Sequence, residues 1–137
     1  MDFIVDGKPQ GKQRPRFSRI SKTVYTPNKT AKYEKQIAKA YTDSGGKCIP
    51  ADCYVSVNVS AFFPVPKSYS KKKREDCLER KLRPDKKPDM DNILKVVLDA
   101  LNEVAYEDDK QVVELIGRKY YTESDGFLWV SVSEVKV

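Results

Sequence analysis

The stretch PDMDNILKVVLDAL, residues 88–101, combines two closely spaced aspartates with an apolar pattern of helical spacing. Apolar residues recur at i, i+3, i+4, i+7, i+8 and i+11, which predicts a helix whose apolar stripe packs against a sheet. The stripe consists of Ile93, Val96, Val97, Ala100, Leu101 and Val104. Asp91, Lys95 and Asp99 are spaced four residues apart, so we expect them to line the opposite face.

The aspartates at the start of this stretch are arranged like metal ligands. Proline favours an extended conformation at the residue before it. If Asp89-Met90-Asp91 is also extended, both carboxylates point the same way, with Met90 pointing inward. They would then offer two hard oxygen ligands about 7 Å apart along the chain, close enough to converge on Mg²⁺.

Each part of this pattern also has an ordinary structural interpretation. Asp91 is a common kind of helix N-cap, and Lys95 with Asp99 is a common kind of surface ion pair. The doublet Asp108-Asp109 is typical of a turn. It can approach the beginning of the helix only if the chain doubles back, which the sequence permits without requiring.

The composition limits the chemistry that the chain can perform. Its 137 residues, with net charge +6, predict a single domain spanning 1–137. The sequence contains no histidine, which excludes Ser-His triads, histidine bases and histidine metal ligands. Cys48, Cys53 and Cys77 form no CxxC pair, so we expect reduced thiols. Any hydrolysis must therefore use carboxylates, lysine and a hard metal ion.

The chain shows no membrane signal. No apolar run approaches the roughly 20 residues that span a bilayer, and Met1-Asp2-Phe3 does not resemble a signal peptide. We therefore predict a soluble, cytoplasmic protein.

Charge is distributed unevenly along the sequence. Residues 8–35 hold nine Lys/Arg and one acid, and residues 67–87 hold ten Lys/Arg and four acids. Residues 89–125 reverse the balance, with ten acids and four bases. The two basic segments would attract a polyanion such as DNA, although lysine runs are often only solvated surface.

The remaining patterns predict an α+β fold with a roughly four-stranded mixed sheet and two main helices. Thr26-Pro27 is expected to open a helix that reaches about Asp43 and is stopped by Gly45-Gly46. Alternation over 53–63 predicts a half-buried strand, and two strands should flank a turn near 124–126. Residues 66–88 are predicted to be a mobile basic loop or a short solvated helix, weakly ordered without a ligand.

The acidic stretch and its continuation, PDMDNILKVVLDALNEVAYEDDKQVVEL, resemble the signature of the RusA family of Holliday junction resolvases. The shared pattern is D-x-D-N-x-x-K, then D-A-L, then D-D-x-Q-V, at nearly the family spacing. It covers about 28 residues and is highly specific. The basic start, with GKQRPRFSR and YTP, is similar to the N-terminal region of the family.

This resemblance implies a homodimeric crossover junction endodeoxyribonuclease that uses Mg²⁺, with Mn²⁺ expected to substitute, to cut four-way DNA junctions. The metal-binding carboxylates of the family match Asp89, Asp91 and Asp109, with Asp108 as a further candidate. Its catalytic lysine matches Lys95. Carboxylate-held Mg²⁺ would supply a water nucleophile and neutralise phosphoryl charge, while lysine would place a cation at the leaving oxygen.

Several basic residues are candidate DNA contacts. Some family members have arginine where this chain has Pro88, so that contact is expected to pass to Lys87 or Lys86. The other candidates are Lys12, Arg14, Arg16, Lys71, Lys72, Lys73 and Arg74. Tyr25, Tyr69 and Tyr106 could stack on unpaired bases or be ordinary core and rim residues.

Two other functions remain open. The chain could be a flap or branch nuclease with looser structural preference, or a catalytically silent DNA-binding protein of the same fold. The presence of all four matched catalytic positions argues against the silent form.

Overall fold

The computed structural model describes residues 1–14, 16–25 and 27–136. Within them the chain forms a four-stranded sheet, a two-stranded hairpin and three α-helices, which confirms the predicted α+β class. The strands are β1 (Asp2–Asp6), β2 (Arg16–Phe17), β3 (Val24–Tyr25), β4 (Tyr54–Pro64), β5 (Val112–Thr122) and β6 (Phe127–Val135). The helices are α1 (Asn28–Asp43), α2 (Lys71–Leu78) and α3 (Met90–Leu101), with a 3₁₀ turn at Asp109–Gln111.

The sheet has the strand order β1-β6-β4-β5 and is mixed. β6 pairs antiparallel with both β1 and β4, whereas β4 and β5 are parallel. A parallel pair needs a crossover connection, because its strands cannot be joined by a tight hairpin. Here the crossover is the segment 65–111, which carries α2 and α3.

Helix α3 packs on one face of the sheet as its apolar stripe predicts. Ile93, Val96, Val97 and Leu101 are fully buried in the core, together with Val55, Val57, Val59 and Ala61 of β4. Helix α1 joins the same core. Burial of aliphatic side chains is worth about 1.5–3 kcal/mol each, so this stripe holds α3 in one orientation.

The boundaries of α1 largely agree with the prediction. It ends at Asp43, before Gly45 at φ +86°, but its N-cap is Pro27, one residue later than expected. Thr26 lies outside the described residues. Tyr33, Ile37 and Tyr41 of α1 are buried in the core. No helix in the described ranges is long and apolar enough to cross a membrane.

The other face of the sheet carries no helix packed against it in the described residues. Because side chains alternate along each strand, Ile4, Trp129, Asn58 and Ile116 lie on this face. Ile4 and Ile116 are exposed, whereas Ser56 and Ser60 beside them are buried. Strand β4 is therefore less exposed than the half-buried strand that the alternation predicts, because it is central.

The basic segment 66–88 contains a helix, the second of the two predicted forms. The Ser70 side chain caps α2 by accepting a hydrogen bond from Lys73 N at 3.2 Å. Beyond α2, the Arg83 side chain donates to Lys119 O at 2.6 Å, and Lys119 Nζ donates to Lys86 O at 2.8 Å. These bonds attach the segment to β5. Weak order without a ligand stays a prediction.

Gly11 lets the N-terminal loop pass close to the beginning of α3. A Cβ atom on Gly11 would lie 2.8 Å from Pro88 Cβ and 3.0 Å from Asn92 Cβ. The next residue, Lys12, donates its backbone N–H to Asn92 O at 2.8 Å. The loop is thereby fixed against the acidic motif.

We expect Gly11→Ala to lower the free energy of unfolding by roughly 1–3 kcal/mol, because the new methyl group meets atoms held by the backbone. Urea denaturation measures this loss. Gly117→Ala is the matched control, since its methyl group meets the ends of the flexible Met90 and Leu94 side chains. The unfolded-state entropy effect is common to both variants. An equal or larger loss in Gly117→Ala would contradict the close packing at Gly11.

Candidate functional site

The acidic motif lies at the beginning of α3, in a geometry that differs from the extended one expected. Asp89 is the N-cap, in extended conformation, and its carboxylate makes no capping hydrogen bond. The helix begins at Met90, so an extended Asp89-Met90-Asp91 is wrong. Asp91 lies in the first turn of the helix, so the alternation of an extended segment does not align the two carboxylates.

The exposed face of α3 has the composition that the sequence predicts. Asp91, Lys95 and Asp99 are all exposed, on the side opposite the buried stripe. The negative charge of Asp91 in the first turn is favourable because it lies at the positive end of the helix dipole. This face therefore presents alternating carboxylate, ammonium and carboxylate groups to solvent.

Lys12 contacts this face from the N-terminal loop. Its Nζ lies 3.1 Å from Asp99 Oδ2 and 3.0 Å from Glu34 Oε2 of α1. The Lys12 side chain is only 14% exposed. Burial lowers the pKa of Lys12, but the hydrogen bonds and charges of Glu34 and Asp99 raise it by more, so the net pKa is raised. Lys12 thus links the loop to both helices.

The chain turns back immediately after α3 through a compact connection. Tyr106 is fully buried, and its hydroxyl donates to Leu98 O at 2.7 Å. Gln111, also buried, accepts from Glu107 N and Asp108 N and donates to Pro50 O and Cys53 O. These bonds place the Asp108-Asp109 doublet beside the second half of α3, because Tyr106 is anchored there.

The two aspartates of the doublet have different environments. Asp108 caps the 3₁₀ turn: its Oδ1 accepts from Lys110 N at 2.9 Å, and this bond lowers the pKa of Asp108. Burial raises the pKa of Asp109, and the hydrogen bond and charge of Asp108 and the charge of Asp99 raise it further. Asp109 is therefore in electrostatic contact with Asp99.

The carboxylates consequently form two sets along α3. Asp89 and Asp91 lie at its beginning, whereas Asp99 and Asp109 lie near its end, with Lys95 between them. At about 1.5 Å rise per residue, Asp89 and Asp99 are roughly 15 Å apart along the helix axis. The charges that act on Asp109 are those of Asp108 and Asp99, which associates Asp109 with the second half of α3.

The donor chemistry of these residues suits a divalent cation, but their arrangement is not a finished site. Carboxylate oxygens are the hard ligands that Mg²⁺ prefers. Among the described residues, however, no three His, Cys, Asp or Glu side chains are grouped so as to hold a metal ion. The residues match the metal in type, whereas the structure does not assemble them around one point.

Three segments carry the basic side chains that the sequence nominates as DNA contacts. Arg14 on the N-terminal loop and Lys71, Lys72 and Lys73 on α2 are exposed, while Arg74 is half-buried. Lys86 and Lys87, just before the acidic motif, are exposed as well. The side chain of Arg16 lies outside the described residues.

The tyrosines proposed to stack on bases differ from one another. Stacking by Tyr106 is wrong, because its ring is fully buried in the core. Tyr69 is half-buried, with Lys73 Nζ 4.0 Å from its ring centroid. The side chain of Tyr25 lies outside the described residues. In the N-terminal part of the chain, large apolar side chains are exposed at Phe17, Ile20 and Val24 of the β2–β3 hairpin.

Sequence reasoning missed Lys119 and Gln111. Lys119 lies near the acidic motif: burial lowers its pKa, and the charges of Asp89 and Asp85 oppose that shift. The sequence signal for Lys119 is its spacing along β5: it lies two residues after Gly117 and four after Leu115, and so on the same, core-facing side of the strand. Gln111 had a signal only in the family pattern, as the Q of D-D-x-Q-V.

Comparison with known protein families defines the class of the protein. The sequence profile described as Endodeoxyribonuclease RusA matches residues 6–132, nearly the whole chain. The chain belongs to this RusA family. It is also similar to YqaN of Bacillus subtilis (strain 168), with 39% identity over 125 residues, covering 88% of this chain and 87% of that protein. The name of YqaN, an uncharacterized protein, assigns it no activity.

We expect Lys12→Met to lower the free energy of unfolding by roughly 1–3 kcal/mol, since it leaves Glu34 and Asp99 without their cation. Lys39→Met is the matched control, because the Lys39–Asp43 pair is exposed, with Lys39 at 75%, and exposed pairs contribute about 0–1 kcal/mol. Urea denaturation of both variants measures the difference. Equal losses would show that the Lys12 link contributes no more than a surface pair.

The stability difference between the native protein and Lys12→Met should decrease at high pH. Because the folded-state pKa of Lys12 is raised above its ordinary value of 10.5, the stabilisation is fully present below pH 10.5. It is lost as the pH rises through the folded-state pKa. The stability gap between the native protein and Lys12→Met should therefore narrow above that pH.

Proposed function

We propose that the protein is a divalent-metal-dependent endonuclease that resolves four-way DNA junctions by paired, symmetric nicks. The observation that carries the proposal is the exposed face of α3, which presents Asp91, Lys95 and Asp99. Asp89, also exposed, immediately precedes the helix as its N-cap. The N-terminal loop, α2 and residues 86–87 carry exposed basic side chains. Membership in the RusA family supports the reaction, and these basic side chains suit a polyanion such as branched DNA.

Asp89, Asp91 and Asp109 are proposed to hold the metal, Mg²⁺ or in its place Mn²⁺; because the structure leaves them in two sets along α3, the proposal requires the carboxylates to draw together around the cation. When bound, a divalent cation supplies charge neutralisation at the phosphate and a more acidic water molecule. Asp108 is a weaker candidate, because its carboxylate already caps the 3₁₀ turn. Burial raises the pKa of Asp109 most, and the neighbouring carboxylates of Asp108 and Asp99 raise it further; a cation would relieve this second, repulsive contribution.

Lys95 is proposed to be catalytic. It is exposed one turn after Asp91, so its ammonium group can approach a phosphate held at the beginning of α3. A lysine there would stabilise negative charge on the leaving 3′ oxygen as the bond to phosphorus breaks. It forms none of the ion pairs found among the described residues.

DNA contacts are proposed for the basic side chains of three segments. Among the described ones, Arg14 on the N-terminal loop, Lys71, Lys72 and Lys73 on α2, and Lys86 and Lys87 before the acidic motif are exposed, whereas Arg74 is half-buried. Arg16, whose side chain lies outside the described residues, is proposed from the sequence alone. Lys12 is a weaker candidate than its neighbours, since two carboxylates already bind its ammonium group.

One assay tests this function directly. Synthetic four-way junction, flap and duplex DNAs are incubated with the protein and Mg²⁺, and we expect the junction alone to be cut efficiently. Asp89→Asn, Asp91→Asn and Asp109→Asn should each abolish cleavage while junction affinity, measured by gel shift, is retained, because each removes a charged metal ligand. Asp125→Asn, in the exposed β5–β6 turn, is the matched control.

Each other outcome of the assay has a definite meaning. Full-rate cleavage by one of the three variants would remove that aspartate from the metal site. Equal cutting of flaps and junctions would make the protein a branch nuclease. Tight junction binding without any cutting would make it a silent DNA-binding protein.

A homodimer is proposed because the substrate has two equivalent strands to cut. One copy has one site and therefore cuts one strand at a time. Both strands can be cut within one encounter only if a second copy faces the junction across a two-fold axis. The helix-free face of the sheet, with Ile4, Trp129 and Ile116, is the proposed contact surface. A two-fold contact needs one self-complementary patch, and small polar side chains such as Ser131 would allow two sheets to approach.

We expect Ile116→Glu to convert a dimer to a monomer, because it places a charge from each copy within an apolar contact. Sedimentation measures the oligomeric state, and a supercoiled plasmid carrying a cruciform should then yield nicked circles in place of linear product. Leu115→Glu is the matched control: Leu115 is the adjacent residue, similarly exposed at 38% against 43%, on the opposite face of β5. Dimers in Ile116→Glu, or monomers in the native protein with DNA bound, would refute this contact.

A further inference from the structure

A groove of about 730 Å³ lies beside the acidic motif, and most of its lining residues have no part in the proposed mechanism. The N-terminal loop 6–13, α1 and the residues 87–92 form its walls. Its volume falls within the roughly 300–1,000 Å³ typical of sites for small organic molecules. Asp89 and Asn92 line it, so anything bound there lies next to the proposed cleavage site.

Tyr33 places a buried polar atom in the wall of the groove. The residue is 2% exposed, and its hydroxyl has no hydrogen-bond partner among the described residues. The backbone of Gln10 faces the hydroxyl without reaching hydrogen-bond geometry. A buried hydroxyl without a partner costs free energy, so a ligand or water that meets it gains more than it would at a solvated group.

Carboxamide side chains line the same groove. Gln10 and Asn92 are half-buried, and Gln13 and Gln36 also contribute to the wall. The Gln36 amide nitrogen donates to Asp6 O at 2.9 Å, which holds this side chain in place and leaves its carbonyl oxygen to accept. Carboxamides carry both donors and acceptors, as do the edges of nucleobases.

The floor and rim complete a surface suited to a nucleotide. Pro9 and Pro88 supply apolar contact for a flat ring. Lys8, Lys29 and Lys87 are exposed at the groove, where they can meet a sugar-phosphate backbone. Lys12 lines it too, but its charge is balanced by Glu34 and Asp99.

We propose that the groove receives one unstacked nucleotide next to the phosphate that is cut, and that its carboxamides and the Tyr33 hydroxyl read the base. The groove is thus the part of the protein that sets the preferred cleavage sequence. This inference rests on the proposed junction nuclease for the position of the cut, although base binding does not require cleavage. Enzymes that select a base commonly remove it from the stack and bind its exposed edge.

Two measurements test the inference. First, four-way junctions that differ in the bases on each side of the cut are compared by their relative cleavage rates. Gln10→Met and Tyr33→Phe should each reduce the base preference on the order of tenfold, because each removes a hydrogen-bonding group while keeping the shape of the side chain. Tyr54→Phe, an exposed tyrosine away from the groove, is the matched control and should keep the preference.

Second, a fluorescent base analogue, 2-aminopurine, replaces the base beside the cut and is observed in EDTA, where no metal-dependent cleavage occurs. Its fluorescence should rise on binding, since unstacking relieves quenching, and the rise should be smaller in Gln10→Met and Tyr33→Phe. An analogue placed several nucleotides away should respond weakly in all forms of the protein.

The outcomes separate the groove from the proposed function. Junction cleavage with unchanged base preference in both variants would overturn the groove and leave the nuclease standing. A fluorescence rise that depends on Gln10 and Tyr33, without any cleavage, would retain the groove and reject the nuclease. If Lys8→Met with Lys29→Met weakens binding of all sequences while base identity has no effect, the groove is a phosphate channel and the inference is wrong.

Discussion

The packing of α3 against the sheet is the interaction on which the rest of the structure depends. Four of its side chains are fully buried, and burial at this density tolerates no rotation of the helix. The orientation of the apolar stripe therefore determines which residues face outward. Ile93, Val96 and Val97 are held in the core. Asp91, Lys95 and Asp99, on the opposite side of the helix, are therefore exposed together. The same hydrophobic contact thus organises both the core and the candidate site.

Most of the architecture could be predicted because its signals are periodic. The apolar spacing of α3 and the alternation in β4 each identify an element and its buried side, since the repeat of helix or strand is fixed by backbone geometry. The exact start of α3 was not predictable: Asp89 and Asp91 are both good cap residues, and two residues of difference change the direction of a carboxylate. Sequence also could not show that Tyr106 is buried, because a tyrosine can occupy core or surface.

Contacts between distant residues were the least predictable part. In the sequence, Lys12 is not distinguishable from the other cations of the N-terminal loop. In the structure it forms ion pairs with Glu34 and Asp99, which lie 22 and 87 positions further along the chain. Gln111 reads as an ordinary polar residue and instead anchors the turn that carries Asp109. Such roles depend on which segments the fold brings together, and local sequence carries no record of that.

The parallel pairing of β4 with β5 has a consequence for how the protein reaches its folded state. Both the basic helix α2 and the acidic helix α3 lie within the 65–111 crossover, so the two strands cannot pair until this long loop closes. Closing a long loop costs entropy before its contacts repay it, and non-local pairing slows folding. The oppositely charged segments therefore come into place in the same event that completes the sheet. A chain interrupted within the crossover would lose the covalent link between β4 and β5 that also carries α3, so selection on catalysis also preserves this connection.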